Sequence, residues 1–169
     1  MKTHSTSSNK GFTLLEILLV IAAIGILAAI VLVAINPNRQ LAQARNAQRR
    51  SDVQTILNAV YQKIIDEGAS GSTDTLTAIS TTAREINRNN TTGTTGCTGT
   101  PVNMSTVASD AGADVVPTYL ASIPQDPSEP GTSNCSGYSI QKDGNNRITV
   151  NALNVEAISG VTTPISVTR

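Results

Sequence analysis

No polar or charged side chain occurs between Ile17 and Ile35. Wound as a helix at about 1.5 Å per residue, this run is roughly 28 Å long, close to the thickness of a bilayer's hydrocarbon core. From Phe12 onward only Thr13 and Glu16 interrupt the apolar sequence upstream of it. The run exceeds the roughly 7–15 apolar residues of an ordinary secretory signal. Its best small-residue cut, after Ala34, has Leu32 two positions earlier. A plain membrane anchor would need none of Gly11, Phe12 or Glu16. Glu16 is the anomaly. A carboxylate in hydrocarbon costs about 2.5–3.5 kcal/mol near mid-helix on insertion scales, so it calls for a partner.

Composition removes several classes of function. The formal charge is zero, and removing residues 1–11 takes Lys2 and Lys10 from the 12 basic residues, leaving 10 against 12 acidic ones. Such a chain has no electrostatic reason to seek nucleic acid. The aromatics are Phe12, Tyr61, Tyr119 and Tyr138, too few for a base-stacking platform. The one histidine, His4, precedes the apolar run. Two cysteines 38 positions apart make no zinc site, and no glycine-rich phosphate loop follows a strand. The chain is expected not to be an enzyme and to carry no cofactor and no metal. Asp126, Glu129, Asp143 and Glu156 are the acids that calcium would use in loops, but scattered acids more often simply face water.

The short basic leader, Gly11-Phe12-Thr13-Leu14-Leu15-Glu16 and the unbroken apolar helix resemble type IV prepilins and the pseudopilins of type II secretion. The resemblance is strong over residues 10–35, fair over the next thirty and weak beyond. It implies that a membrane-embedded peptidase cuts between Gly11 and Phe12 and methylates the Phe12 amine. Glycine has no side chain, which lets that backbone enter a protease site closely. It implies also that Glu16 pairs with the Phe12 amine of a neighbouring subunit. The implied fold is α+β: a long N-terminal transmembrane helix packed into a small head with a short antiparallel sheet. The divisions are a leader at 1–11, a membrane and filament-core helix at 12–35, an amphipathic continuation at 36–67 and a head at 68–169. The resemblance places the leader on the cytoplasmic side, although Arg39, Arg45, Arg49 and Arg50 after the run outnumber Lys2 and Lys10 before it and bias the charge count the other way.

The implied function is that of a structural subunit polymerising into a type IV pilus-like surface filament. The alternatives are a major pseudopilin of type II secretion, or a minor pilin binding an adhesion target or DNA. The implied partners are copies of the chain itself, the prepilin peptidase and methyltransferase, a pilus or secretion assembly platform, and the membrane. The precursor would be single-pass in the cytoplasmic membrane with its head outside the cytoplasm, and would then enter the filament.

Within the run, Gly25 and Ala29 form a small-xxx-small pair that permits close helix approach. Pro37 should kink or break the helix. Beyond it Leu41, Ala44, Val53, Ile56, Leu57, Val60, Ile64 and Ile65 keep three- and four-residue spacing, and Gly68 reads as a stop. The opposite face carries Arg39, Arg45, Arg49, Arg50, Asp52 and Lys63, expected to be solvated. Leu76, Ile79, Ala83 and Ile86 suggest a short helix over 76–86, and residues 89–100 read as loop. Matches to Asn-X-Ser/Thr at Asn89, Asn90, Asn103 and Asn134 are expected by chance in so Asn- and Thr-rich a chain. Tyr119 to Pro127 is similar to a segment that leads into the terminal sheet of pilin heads. Residues 138–141 and 147–153 alternate like strands around Asp143-Gly144, a hairpin signal, and a last strand is expected over 165–168.

Cys97 and Cys135 are expected to be disulfide-bonded. The implied orientation puts the head where disulfides persist, and two cysteines allow one intramolecular pair. Free thiols and an intersubunit bridge are the competing readings.

Overall fold

The computed structural model describes residues 11–70, 74–88, 97, 99–104 and 115–169. It divides into two compact units, one ending at Gln40 and one running from Leu41 to Arg169.

The first unit contains helix α1, Leu14–Ala34. None of its residues is buried, and its leucines, isoleucines and valines stand exposed. Composition explains the helix without tertiary help, since hydrocarbon leaves a backbone no other local way to satisfy its N–H and C=O groups. The helix stops at Ile35, whose N–H donates to the Val31 carbonyl. Asn36 then takes a positive φ of 27°, and helix α2, Pro37–Ser70, begins at once. The helix is thus broken at Asn36–Pro37, as expected, and Pro37 opens the next one, since the first helical position has no use for the N–H that proline lacks. Asn36 accepts the Arg39 N–H through its side chain at 3.4 Å. Gly68 lies inside α2, which ends at Ser70 rather than at the glycine.

The second unit comprises α2 from Leu41, a short helix α3 (Asp74–Ala78) and five strands: β1 Arg84–Asn87, β2 Val102–Asn103, β3 Cys135–Lys142, β4 Ile148–Ala152 and β5 Ser166–Thr168. The strand order is β2-β1-β3-β4-β5. All pairings are antiparallel except β1 with β2, which is parallel, so the sheet is mixed rather than wholly antiparallel. The β3–β4 hairpin closes where Asp143-Gly144 indicates, with Asp143 Oδ1 accepting the N–H groups of Asn145 and Arg147, both at 2.8 Å.

The core forms where two periodicities meet. Val53, Ile56, Leu57 and Val60 of α2 are buried at helical spacing, against Ile86, Tyr138, Ile140, Ile148 and Val150 of the sheet at strand spacing. The predicted apolar face is wrong at its ends, because Leu41, Ala44 and Ile65 are exposed. Toward its start α2 buries Ala42, Asn46, Arg49 and Asp52 instead, a stripe continuous with Val53 and Ile56 but polar.

The helix predicted over 76–86 is also corrected. Only Asp74–Ala78 is helical, and Arg84–Asn87 is a strand paired on both sides. Ile86 is buried all the same. A three- or four-residue spacing in so short a segment fits either element, and pairing with β2 and β3 decides. Residues 1–10 and most of the 89–100 loop lie outside the described residues.

Candidate functional site

Gly11 and Phe12 precede α1 in non-helical backbone, and Phe12 is 79% exposed. Thr13, an interruption in the apolar sequence, caps the helix. It is extended (φ −78°, ψ 150°), and its Oγ1 accepts the Glu16 N–H at 3.2 Å. This satisfies one of the N–H groups that a helix start leaves open, and Glu16 places its negative charge at the positive end of the helix. Thr13 and Glu16 have the spacing of a capping box. A Cβ added at Gly11 would meet nothing within 4 Å among the described residues, so no packing there calls for glycine. The same is true of Gly25.

A second constellation, within the Leu41–Arg169 unit, was not foreseen. Arg49 was expected on a solvated face, yet it is fully buried. Its Nε and Nη2 donate to Asp126 Oδ2 and Oδ1 at 2.7 and 2.9 Å. Its Nη1 donates to Asn46 Oδ1 at 2.8 Å and Glu156 Oε1 at 3.0 Å, and Nη2 also donates to Ser128 Oγ at 2.8 Å. Every guanidinium donor is thereby used. Arg45, half-exposed, grips Glu156 through two bonds of 2.6 Å. Asn46 donates to the Glu156 carbonyl at 2.8 Å and accepts the Glu156 N–H at 3.2 Å. Asp52, three residues after Arg49 on the same stripe, accepts from Gln48 at 2.8 Å and from the Tyr138 hydroxyl at 2.7 Å.

Electrostatics follow from this geometry. The hydrogen bonds from Arg45, joined by those from Arg49, outweigh partial burial and hold Glu156 at a pKa of about 2, against an ordinary 4.5. Burial alone would raise the Asp126 carboxyl; the Arg49 and Ser128 donors overcome it and bring it below its usual value. Burial, then the Asp52 carboxylate, drives the Tyr138 phenol far above its usual range.

Arg45, Arg49 and Asp52 are thus corrections to the expected solvated face. Lys63 is partly buried in an ion pair with Glu67 at 3.0 Å, while Arg39 and Arg50 are exposed as expected. Asp126 belongs to the Tyr119–Pro127 segment, which therefore docks on α2 as well as leading toward the sheet; Tyr119 adds a hydrogen bond to Asp66. The acids considered for calcium have other occupations: Asp126 and Glu156 hold arginines, Asp143 pairs with Arg147 at 2.7 Å, and Glu129 accepts from Asn154 at 2.6 Å. Asn103 is buried in β2 and Asn134 is partly buried beside Cys135, while Asn89 and Asn90 lie outside the described residues.

The structure joins Cys97 to Cys135 in an intrachain disulfide with Cα atoms 5.3 Å apart. Cys135 is the first residue of β3 and is fully buried.

Compared with known proteins, residues 6–32 match the family model described as the prokaryotic N-terminal methylation motif. No curated protein and no solved structure matches the chain. The matched stretch takes in the Gly11–Phe12 bond, Glu16 and most of α1, a wholly exposed apolar helix long enough to cross a membrane. The chain carries, at residues 6–32, the leader motif of type IV pilins and pseudopilins.

Proposed function

We propose that the chain is a structural subunit of a type IV pilus-like surface filament. The observation that carries this reading is the methylation motif on a helix with no residue buried by its own chain. An apolar helix of that kind needs lipid first and, in a polymer, sister helices. A prepilin peptidase cuts between Gly11 and Phe12. The open space around Gly11 supports this, since no packing among the described residues calls for a glycine there. The new Phe12 amine is methylated, and Glu16, already at the positive end of α1, pairs with the Phe12 amine of a neighbouring copy. The head stands outside the cytoplasm, where the Cys97–Cys135 bridge is stable. The assembly platform and the membrane are its other partners.

Intact-mass and N-terminal peptide analysis of sheared surface filaments tests the proposal. The expected subunit begins at methylated Phe12. A mature terminus after Ala34, or an uncut leader, overturns it. Copurification with a secretion outer-membrane pore, without surface filaments, assigns the chain to a pseudopilus instead.

A further inference from the structure

Hydrogen bonds along α2 fix which elements lie at each end of the Leu41–Arg169 unit. Toward the C-terminal end of α2 the Tyr61 hydroxyl donates to the Arg169 carbonyl and accepts the Ile148 N–H at 3.4 Å, so β4 starts and β5 finishes there. The β3–β4 turn belongs to that end as well. At the other end the Asn46 side chain bonds both the N–H and the carbonyl of Glu156, and Arg45 grips the Glu156 carboxylate. The segment joining β4 to β5 is therefore pinned beside the early turns of α2, and Leu41 lies one turn before Arg45. Among the described residues, the large apolar side chains that this unit exposes are Leu41, Ile65, Leu153 and Val161. All but Ile65 belong to the Arg45 end.

Within that segment the chain makes a tight turn. Ile158 and Val161 exchange both backbone hydrogen bonds, at 2.9 and 3.2 Å, around Ser159 (φ 56°) and Gly160 (φ 79°). Residues paired in this way carry their side chains on one face, so Ile158 and the 65% exposed Val161 form a single apolar tip. No charged side chain occurs from Ala157 to Thr168. The nearby acids Asp126 and Glu156 are spent on arginines. Arg50, which shares a groove with Pro164 and Ile165, is exposed and has no ion-pair partner among the described residues. An apolar tip with an unpaired cation beside the same segment matches a bilayer surface, where acyl chains meet phosphates. The chain also keeps this end within reach of lipid, whatever angle the unit takes. Leu41 follows Ile35 by six residues, roughly 21 Å at full extension.

We propose that the Ile158–Val161 turn of the unassembled subunit rests in the membrane interface, with Val161 at the top of the acyl chains and Arg50 against a lipid phosphate. This rests on α1 crossing a membrane and not on polymerisation. It gives the precursor a second membrane contact, made by the head.

Tryptophan fluorescence tests the contact, because the sequence contains no tryptophan of its own. Val161→Trp and Asn145→Trp change exposed residues at opposite ends of the unit. Both are measured as full-length chains in vesicles of phosphatidylethanolamine and phosphatidylglycerol brominated near the headgroup end of the acyl chains. Val161→Trp is expected to lose about half its emission to the bromines, as a side chain at the headgroup boundary should. Asn145→Trp should lose little. Adding Arg50→Glu to Val161→Trp should relieve most of the quenching, since a carboxylate then meets lipid phosphate. Undiminished quenching with Arg50→Glu overturns the phosphate contact. Emission from Val161→Trp that is indifferent to bromine overturns the whole proposal, whether the tip faces water or, with blue-shifted emission, another copy. Equal quenching of Val161→Trp and Asn145→Trp does the same. Ile26→Trp, inside α1, checks the premise with lipids brominated deeper in the chain. No quenching there means that the span itself fails and takes the contact with it; quenching there but not in Val161→Trp sinks the contact alone.

Discussion

Arg49 and Asp126, 77 positions apart, face each other through two parallel hydrogen bonds, and neither side chain reaches solvent. One lies on α2 and the other on the segment that approaches β3, so a single buried ion pair ties the long helix to the sheet's far connection. The pair tolerates burial because Asn46, Ser128 and Glu156 take the remaining donors.

Removing one side of that pair should cost far more than an exposed salt bridge. Arg49→Ala leaves the Asp126 charge in the interior and is expected to destabilise the head by about 3–5 kcal/mol. Arg49→Lys keeps the charge but loses the planar fork, and should fall in between. Pairing Arg49→Met with Asp126→Leu removes both charges and should cost less than the sum of the single changes. Denaturant midpoints of the full chain in detergent measure all of these.

Acid should loosen the same network. Glu156 and Asp126 have depressed pKa values when folded, so the unfolded chain takes up protons first as pH falls. Their stabilisation is complete above the ordinary carboxylate value of 4.5 and is lost progressively toward pH 2, where Glu156 itself protonates. Unfolding midpoints followed from pH 7 to pH 2 should decline through that window. Glu156→Gln should start lower at pH 7 and decline less. A pH-independent midpoint in the wild type would contradict the network.

Gly137 is the least replaceable of the described glycines of the head. Its φ is +79°, and an added Cβ would lie 2.6 Å from Asp126 Cβ and 3.0 Å from Glu129 Cγ. Gly137→Ala combines a left-handed backbone with overpacking and should cost roughly 2–5 kcal/mol. Gly144→Ala, with nothing within 4 Å, is the control and should stay near wild type. Thermal unfolding of the two variants decides.

Glu16→Ala separates insertion from assembly. It removes a carboxylate from an apolar helix, so membrane levels should hold or rise. Cleavage at Gly11–Phe12 should continue, while filament yield should collapse because the neighbouring Phe12 amine loses its partner. Immunoblots of membrane and sheared fractions read both quantities. Normal filament yield would refute the pairing role of Glu16.

What the sequence disclosed followed from how local the cause was. α1 is legible because its composition alone dictates a helix, and the β3–β4 hairpin because Asp143-Gly144 sits between alternating residues. Arg49 was misread because its partners lie at 126, 128 and 156, and nothing near it in the chain distinguishes it from Arg50. β2 is two residues long and leaves no pattern of its own. Ile86 satisfied a helical spacing while belonging to a strand, since neighbouring strands, not its own segment, determine its state. The cysteine pairing was accessible by arithmetic, but the burial of Cys135 at the head of β3 was not.

The exposure of α1 along its whole length also bears on how easily a subunit comes and goes. A span with no buried residue finds a bilayer and a sheath of sister spans to be nearly equivalent solvents. Exchange between them releases little hydrophobic free energy, because lipid tails are as apolar as leucine. In the proposed filament the membrane pool would therefore stay thermodynamically close to the polymer, separated from it by close helix packing, the proposed Glu16–Phe12 pair and whatever the heads add. A subunit leaving the filament would return to lipid with its head still folded, ready to be used again.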